Sequence, residues 1–295
     1  MLKVSHVILF LLLGTTFSAS CQTALPYFLY DPAINSSLSA YSETQLQLNY
    51  QNRWPSWGKA FVNQYVAFDT QSKILQGGWG AGLSSGQWGE GVNTWQPFLR
   101  YAYNIRMQKN QSLSFGLQTS MFINNISVES LQLSEYEYVE NVNERSFTSS
   151  FGILYKHSVW SMGLTLNNLP YIFQTAKNQN LLPTFSVQGF YNSNNKNRRA
   201  YFFSQSHRCL FELDGNMMNC QYDGYFYFGK ALISALLSTS FPSSSFDVGL
   251  GVGYSFKNLR LHYSYVHNLH TEIIGLFPVS HQLGVMLILK DQKRK

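Results

Sequence analysis

Hydrophobic and polar residues alternate with a period of two through most of this chain. The pattern is cleanest at two places. Leu113, Phe115, Leu117, Thr119, Met121 and Ile123 alternate with Ser112, Ser114, Gly116, Gln118, Ser120 and Asn124. Further on, Phe246, Val248, Leu250, Val252, Tyr254 and Phe256 alternate with Asp247, Gly249, Gly251, Gly253 and Ser255. Successive side chains of a strand point to opposite faces, so each stretch predicts a strand with one oily and one wet side. The first such strand covers 45–50, with Leu46, Leu48 and Tyr50 against Gln45, Gln47 and Asn49. Others are predicted at 61–68, 146–156, 159–166, 185–191, 199–205, 209–213, 220–228, 231–241, 259–266 and 281–289. The Gly-rich 74–85 reads as a short strand and a bend before a loop at 87–91. A strand over 95–106 has Pro97 near its beginning, because proline cannot donate to a ladder. Asn167-Asn168-Leu169-Pro170 reads as a strand end. Together these make about 14 strands, an even number that suits a single-chain bacterial outer-membrane barrel.

Composition narrows the fold class. Charged residues are 12% and aromatics 16% of the chain, whereas soluble domains carry roughly 25% charged residues. Beyond the N-terminus no apolar run approaches the ~18 residues of a membrane helix. Low charge, many aromatics and polar residues at every second position predict an all-β transmembrane barrel, antiparallel, apolar outward and polar inward. Trp95, Tyr155, Trp160 and Tyr191 lie near strand ends and suit the aromatic girdles of such a barrel. A soluble β-sandwich core accommodates so many Ser, Gln, Asn and Gly residues less well.

The N-terminus has the order of a secretory signal. Lys3 precedes an apolar run over 7–13, and small residues follow at Ser18, Ala19 and Ser20. Two processing routes fit Cys21: lipidation of its thiol, or an ordinary cut just before it. Cys209 and Cys220 flank an Asp214-Gly215 pair, a strong hairpin signal. With Asp214-Gly215 as the loop the two cysteines oppose each other within disulfide reach; the alternative is two unpaired thiols.

Candidate chemistry is sparse. Glu129, Glu135, Glu137 and Glu140 fall in a patternless stretch over 127–143, which reads as a long extracellular loop without calcium-loop spacing. His262, His267 and His270 straddle a strand and its loop and make a poor metal site. The Gly249–Gly253 run alternates on one strand face, which suits a close-packed lumen wall better than a phosphate loop. The net charge of +6 is concentrated in the tail, where Lys290, Lys293, Arg294 and Lys295 outnumber Asp291. No basic stripe points to nucleic acid. These readings predict no enzyme, no cofactor and no resident metal.

Short motifs in a set order carry a family resemblance. Asp31-Pro32-Ala33 precedes a first strand that ends in Arg53-Trp54. Arg100-Tyr101-Ala102-Tyr103 and Leu113-Ser114-Phe115-Gly116 follow, and the closing pair of strands contains 258–265 and then Ser280-His281-Gln282-Leu283. The chain resembles the PorP/SprF family, outer-membrane barrels associated with type IX secretion and gliding motility. That family usually has Asn-Pro-Ala followed closely by Gly, and Ser-His-Glu near its end. Here Asp31 stands for the Asn, Asn35-Ser36-Ser37 for the Gly region, and Gln282 for the Glu. The resemblance implies family-motif positions at Asp31, Pro32, Ala33, Arg53, Trp54, Tyr101, Tyr103 and His281.

The expected organisation is a signal peptide over 1–20, an N-terminal segment over 21–43, a barrel over 44–289 and a basic tail over 290–295. The resemblance implies a non-enzymatic partner of type IX secretion components, or of an exported surface protein that it helps to secrete, dock or anchor, set in outer-membrane lipid. The alternative is a passive pore or small-solute transporter; a soluble secreted adhesin is a third, weaker reading.

Overall fold

The computed structural model describes residues 32–53, 61–72, 76–89, 91–108, 110–127, 142–170, 183–192, 204–214, 217–241, 245–269 and 279–290. Fourteen strands follow one short 3-10 helix, Ser36–Tyr41. They are β1 (Thr44–Arg53), β2 (Phe61–Ser72), β3 (Gly77–Trp88), β4 (Val92–Gln108), β5 (Gln111–Ile126), β6 (Val142–His157), β7 (Trp160–Pro170), β8 (Thr184–Asn192), β9 (Ser204–Asp214), β10 (Met217–Phe228), β11 (Ala231–Phe241), β12 (Ser245–Ser255), β13 (Leu259–Asn268) and β14 (Val279–Lys290). Each strand pairs antiparallel with its sequence neighbours. β1 pairs with β14, Leu48 opposite Val285, and closes the barrel. Closure satisfies every ladder and leaves no open edge in lipid.

The alternation decides which side faces out. Leu48, Tyr50, Leu99, Leu117, Leu250 and Val252 are exposed on the outer surface, while Gln45, Gln47, Gln51, Gln188 and Gln282 are buried inside. The outer side is an apolar belt and the inner side is wet, as an outer-membrane barrel requires. At the end where β1 begins and β14 finishes, the connections over 73–76, 109–110, 158–159, 229–230 and 256–258 are short, and 193–203 is the longer exception. The opposite end carries 54–60, 127–141, 171–183 and 269–278. Short turns are periplasmic and long loops extracellular in this class, which sets the orientation. Trp160 packs on Tyr155 and His157, ring centroids 5.4 and 5.3 Å apart, and pairs in register with Tyr191. These residues form a periplasmic-side girdle. Trp95 is exposed toward the other end.

Several boundaries differ from the sequence expectation. The predicted strands at 199–205 and 209–213 are replaced by one continuous β9, and residues 199–203 lie outside the described residues. β3 runs unbroken to Trp88, where a bend and loop were expected. β4 begins at Val92, so Pro97 sits inside it; the ladder to β5 skips Gln96 and Pro97, because proline has no N–H to give. β7 continues to Pro170. Asn168 takes a left-handed conformation (φ 56°) where the register with β6 shifts, and a bulge there costs Asn little. β6 already begins at Val142, so the expected loop over 127–143 is shorter at its end.

The cysteine hairpin also differs. Met217 pairs with Asp214, so Cys209 faces Tyr222 and Cys220 faces Phe211. The register is two residues from the expected one. Both cysteines stay on the outer side as diagonal neighbours, and both are free. The predicted Cys209–Cys220 bond is absent because Gly215 and Asn216, rather than Asp214 and Gly215, separate the strands.

Candidate functional site

The N-terminal segment lies inside the barrel. Pro32, with its fixed φ, opens a turn that leads to Asn35, the cap of the 3-10 helix. The Asn35 side chain accepts from the Ser37 N–H at 3.0 Å and from the Ser37 hydroxyl at 2.6 Å. Its amide nitrogen reaches the carbonyls of Ile153 (3.3 Å) and Leu164 (3.4 Å) and Oε1 of Gln188 (3.0 Å). Gln188 in turn donates to the Ile34 carbonyl at 3.3 Å and to Thr165 Oγ1 at 2.9 Å. Gln71 Nε2 donates to the Ala40 carbonyl at 2.9 Å. Tyr41 ends the helix with its hydroxyl 2.8 Å from Ser112 Oγ, and Lys156 Nζ sits 4.6 Å from its ring centroid. Buried backbone needs such partners, and here the lumen wall supplies them.

Shape complements this bonding. Leu38 is fully buried among Leu154, Phe190, Tyr225 and Leu232, an apolar cluster inside an otherwise polar lumen. The wall beside the helix is glycine. A Cβ on Gly78 would lie 1.8 Å from the Ser39 carbonyl oxygen, one on Gly116 2.1 Å from the Ser37 nitrogen, and one on Gly152 2.1 Å from Asn35 Oδ1. These glycines of β3, β5 and β6 let the helix backbone lie directly on the wall. The helix therefore occupies the periplasmic half of the lumen, its backbone against β2–β6, with Asn35 and Leu38 reaching across to β7, β8, β10 and β11.

Under it lies an ion pair. Arg100 donates from Nε and Nη2 to the two Asp69 oxygens at 2.8 and 2.6 Å, and both side chains are fully buried. Asp69 is on β2 and Arg100 on β4. Gly80 of β3 is in register between them, and a Cβ there would lie 2.3 Å from Asp69 Oδ1. Ser39 Oγ donates to the same oxygen at 3.2 Å, tying the helix to the pair. A second buried pair, Arg208 to Asp223 at 2.7 Å, joins β9 to β10, with Gln221 donating to Asp223 at 2.9 Å.

Beyond the helix, toward the extracellular end, a cavity of about 290 Å³ lies against the β1–β5 wall. Asn49, Ser84, Gln96 and Gln118 line it, with Tyr65, Phe98 and Arg100, and Ala33 forms part of the lining. The Tyr65 and Phe98 rings stack with centroids 5.7 Å apart. Gly82 gives the Phe98 ring its space, since a Cβ there would lie 2.5 Å from that ring.

The residues singled out by motif do not converge on one place. Pro32 and Ala33 belong to the lumen segment, and Arg53 ends β1. Tyr101 and Tyr103 are exposed on the belt face of β4, Tyr103 donating to Gln76 Oε1 at 3.0 Å. His281 is on the outer face of β14, its Nδ1 2.7 Å from the Tyr263 hydroxyl and its ring edge-on to Tyr265 at 5.5 Å. Asp31, Trp54 and Cys21 lie outside the described residues, as do 128–141 and His270. His262 faces the lumen, 2.8 Å from Ser234 Oγ, while His267 is on the other face of β13; the two cannot share an ion. Gly251 makes room for that His262–Ser234 contact, as expected of a packed lumen wall. Sequence reasoning missed the lumen helix and both ion pairs. The signal for the helix was the coincidence of a capping Asn35, small serines after it, and inward glycines on three later strands.

Comparisons with known proteins agree with the architecture. A family model described as type IX secretion system membrane protein PorP/SprF matches residues 24–286. A search of curated protein sequences found no match. Among solved structures, the Pseudomonas putida toluene transporter TodX aligns with a TM-score of 0.55 at 9% identity, covering 89% of this chain and 93% of that one. KdgM porin aligns at 0.41 with 8% identity, over 82% of this chain and 98% of its own. A triple mutant of Rhodopseudomonas blastica porin aligns at 0.38 with 9% identity, over 83% and 98%. At 9% identity the likeness to TodX is one of fold.

Proposed function

The chain belongs to the PorP/SprF family of type IX secretion system membrane proteins, and from that premise we propose that it is a docking barrel rather than an open pore. It sits in the outer membrane and works without turnover. Its extracellular loops hold an exported surface protein, and its periplasmic turns meet the secretion components below. The observation that carries this reading is the lumen helix. Residues 32–42 are packed against strands β2 to β8 by hydrogen bonds and by glycine contacts too close for any side chain. A passive pore has no use for such a filling, whereas a rigid scaffold for partners does. The stretch over 128–141, with its four glutamates, is the chosen contact for the cargo. Signal-peptide removal before Cys21 and the basic tail over 290–295 belong to the same reading, as export signal and periplasmic end.

The test is purification of the tagged protein from outer membranes in a gentle detergent, with partners identified by mass spectrometry. Co-purification of one large surface protein or of type IX components supports docking, and deletion of 128–141 should then release the surface protein while the barrel remains. A partnerless barrel with steady conductance in a planar bilayer would replace this reading with the small-solute pore.

A further inference from the structure

We infer that the cavity above the lumen helix is a binding site for a neutral saccharide unit. The lining is an array of uncharged donors and acceptors. Asn49 on β1, Tyr65 on β2, Ser84 on β3 and Gln96 on β4 are in register in one row across the wall. Gln118 on β5 pairs with Arg100, two inward rows lower, past Phe98. Asn49, Ser84 and Gln118 have no side-chain hydrogen bond to another described residue. Four lumen amides outside the cavity, Asn35, Gln71, Gln188 and Gln221, bond to the segment or to the wall. Asn49, Ser84 and Gln118 are therefore held ready, while Gln96 donates to Ser120 Oγ at 3.0 Å and Asn63 to Gln51 Oε1 at 3.2 Å.

Charge and size select the ligand. The one cation of the lining among the described residues, Arg100, is neutralised by the bidentate Asp69. An anionic sugar, or the charged end of a peptide, would lose its hydration here without a counter-charge, which is costly. A neutral polyhydroxylated ring loses less, because each amide offers a donor and an acceptor to neighbouring hydroxyls. The edge of the Tyr65–Phe98 stack supplies an apolar surface for its C–H groups. A volume of about 290 Å³ is at the small end of ligand sites, roughly 300–1,000 Å³. Ala33, just before the helix, borders the cavity on the segment side. A volume of this size takes the end of a glycan. This inference stands apart from the docking reading, since a barrel without protein partners would still bind sugar.

The experiment is titration calorimetry on the full chain in an amine-oxide detergent, whose headgroup carries no sugar. The probes are maltose, N,N′-diacetylchitobiose, glucuronate and a dipeptide blocked at both ends. Saturable millimolar binding of a neutral disaccharide is expected, with none for glucuronate. Asn49→Ala and Gln118→Ala should each weaken it about fivefold, the effect of one lost hydrogen bond. Ser84→Leu, which fills the cavity, should abolish it, and Leu250→Ala on the outer belt should leave it unchanged. Heat-modifiable gel migration checks that each variant is folded; should an alanine variant fail that check, Ser84→Leu decides alone. The inference is overturned if neither disaccharide binds, if the cavity variants bind as the parent does, or if the blocked dipeptide binds more tightly than the sugars.

Discussion

Replacing Arg100 by Met removes the partner of a fully buried carboxylate. Asp69 and Arg100 are both fully buried, joined by two hydrogen bonds of 2.8 and 2.6 Å. After the substitution Asp69 keeps only the Ser39 hydroxyl, at 3.2 Å. Breaking one side of a buried pair costs about 3–5 kcal/mol, because the remaining charge is left uncompensated. Replacing both residues with apolar ones of similar size is often neutral or favourable. Arg100→Met should therefore cost about 3–5 kcal/mol, and Asp69→Leu combined with Arg100→Met about 1 kcal/mol or less. The assay is urea titration of the barrel in detergent, with the folded fraction read from heat-modifiable gel migration and the difference taken at the midpoint. The double substitution should sit nearer the parent than Arg100→Met does. A single substitution costing under about 1 kcal/mol, or a double costing the sum of its parts, would refute the argument that the pair is desolvated and mutually dependent.

Three further outcomes follow from the same structure. Gly152→Leu puts side-chain atoms where Asn35 Oδ1 now lies, 2.1 Å from the ideal Cβ, and should expel the lumen helix. A Ser37→Cys thiol should then react with a water-soluble maleimide in that variant and stay protected without it; protection in both would show that the wall does not hold the helix. Cys209 and Cys220 are free, so the denatured protein should take up a maleimide at both positions without prior reduction, and failure of both to label would mean that they are bonded. Leu250 lies at the middle of β12 on the lipid-facing side, so Leu250→Arg should destabilise the barrel in bilayers by about 2–4 kcal/mol; an effect below about 0.5 kcal/mol would place that position outside the hydrocarbon.

The strands were legible because their signal is local. Whether Leu48 or Gln47 faces lipid depends only on alternation along one short stretch, and the belt follows from it. Strand boundaries were less legible, since Pro97 and Asn168 are breakers that the neighbouring strands override. The cysteine pairing failed for a related reason. Two adjacent dipeptides, Asp214-Gly215 and Gly215-Asn216, both suit a hairpin, and a shift of two residues keeps every side chain on its own face. Periodicity therefore does not distinguish the two registers. The barrel, its amphipathic faces and its family could all be read from the amino-acid sequence alone, since each rests on the order of residues within short segments. Only the tertiary structure decided that the N-terminal segment fills the lumen. Asn35 finds Gln188, and Asp69 finds Arg100 across Gly80, only once closure brings distant strands to one wall. A polar, serine-rich segment has no periodic face of its own, and its burial depends entirely on the hydrogen bonds and glycine clearances that the closed wall supplies.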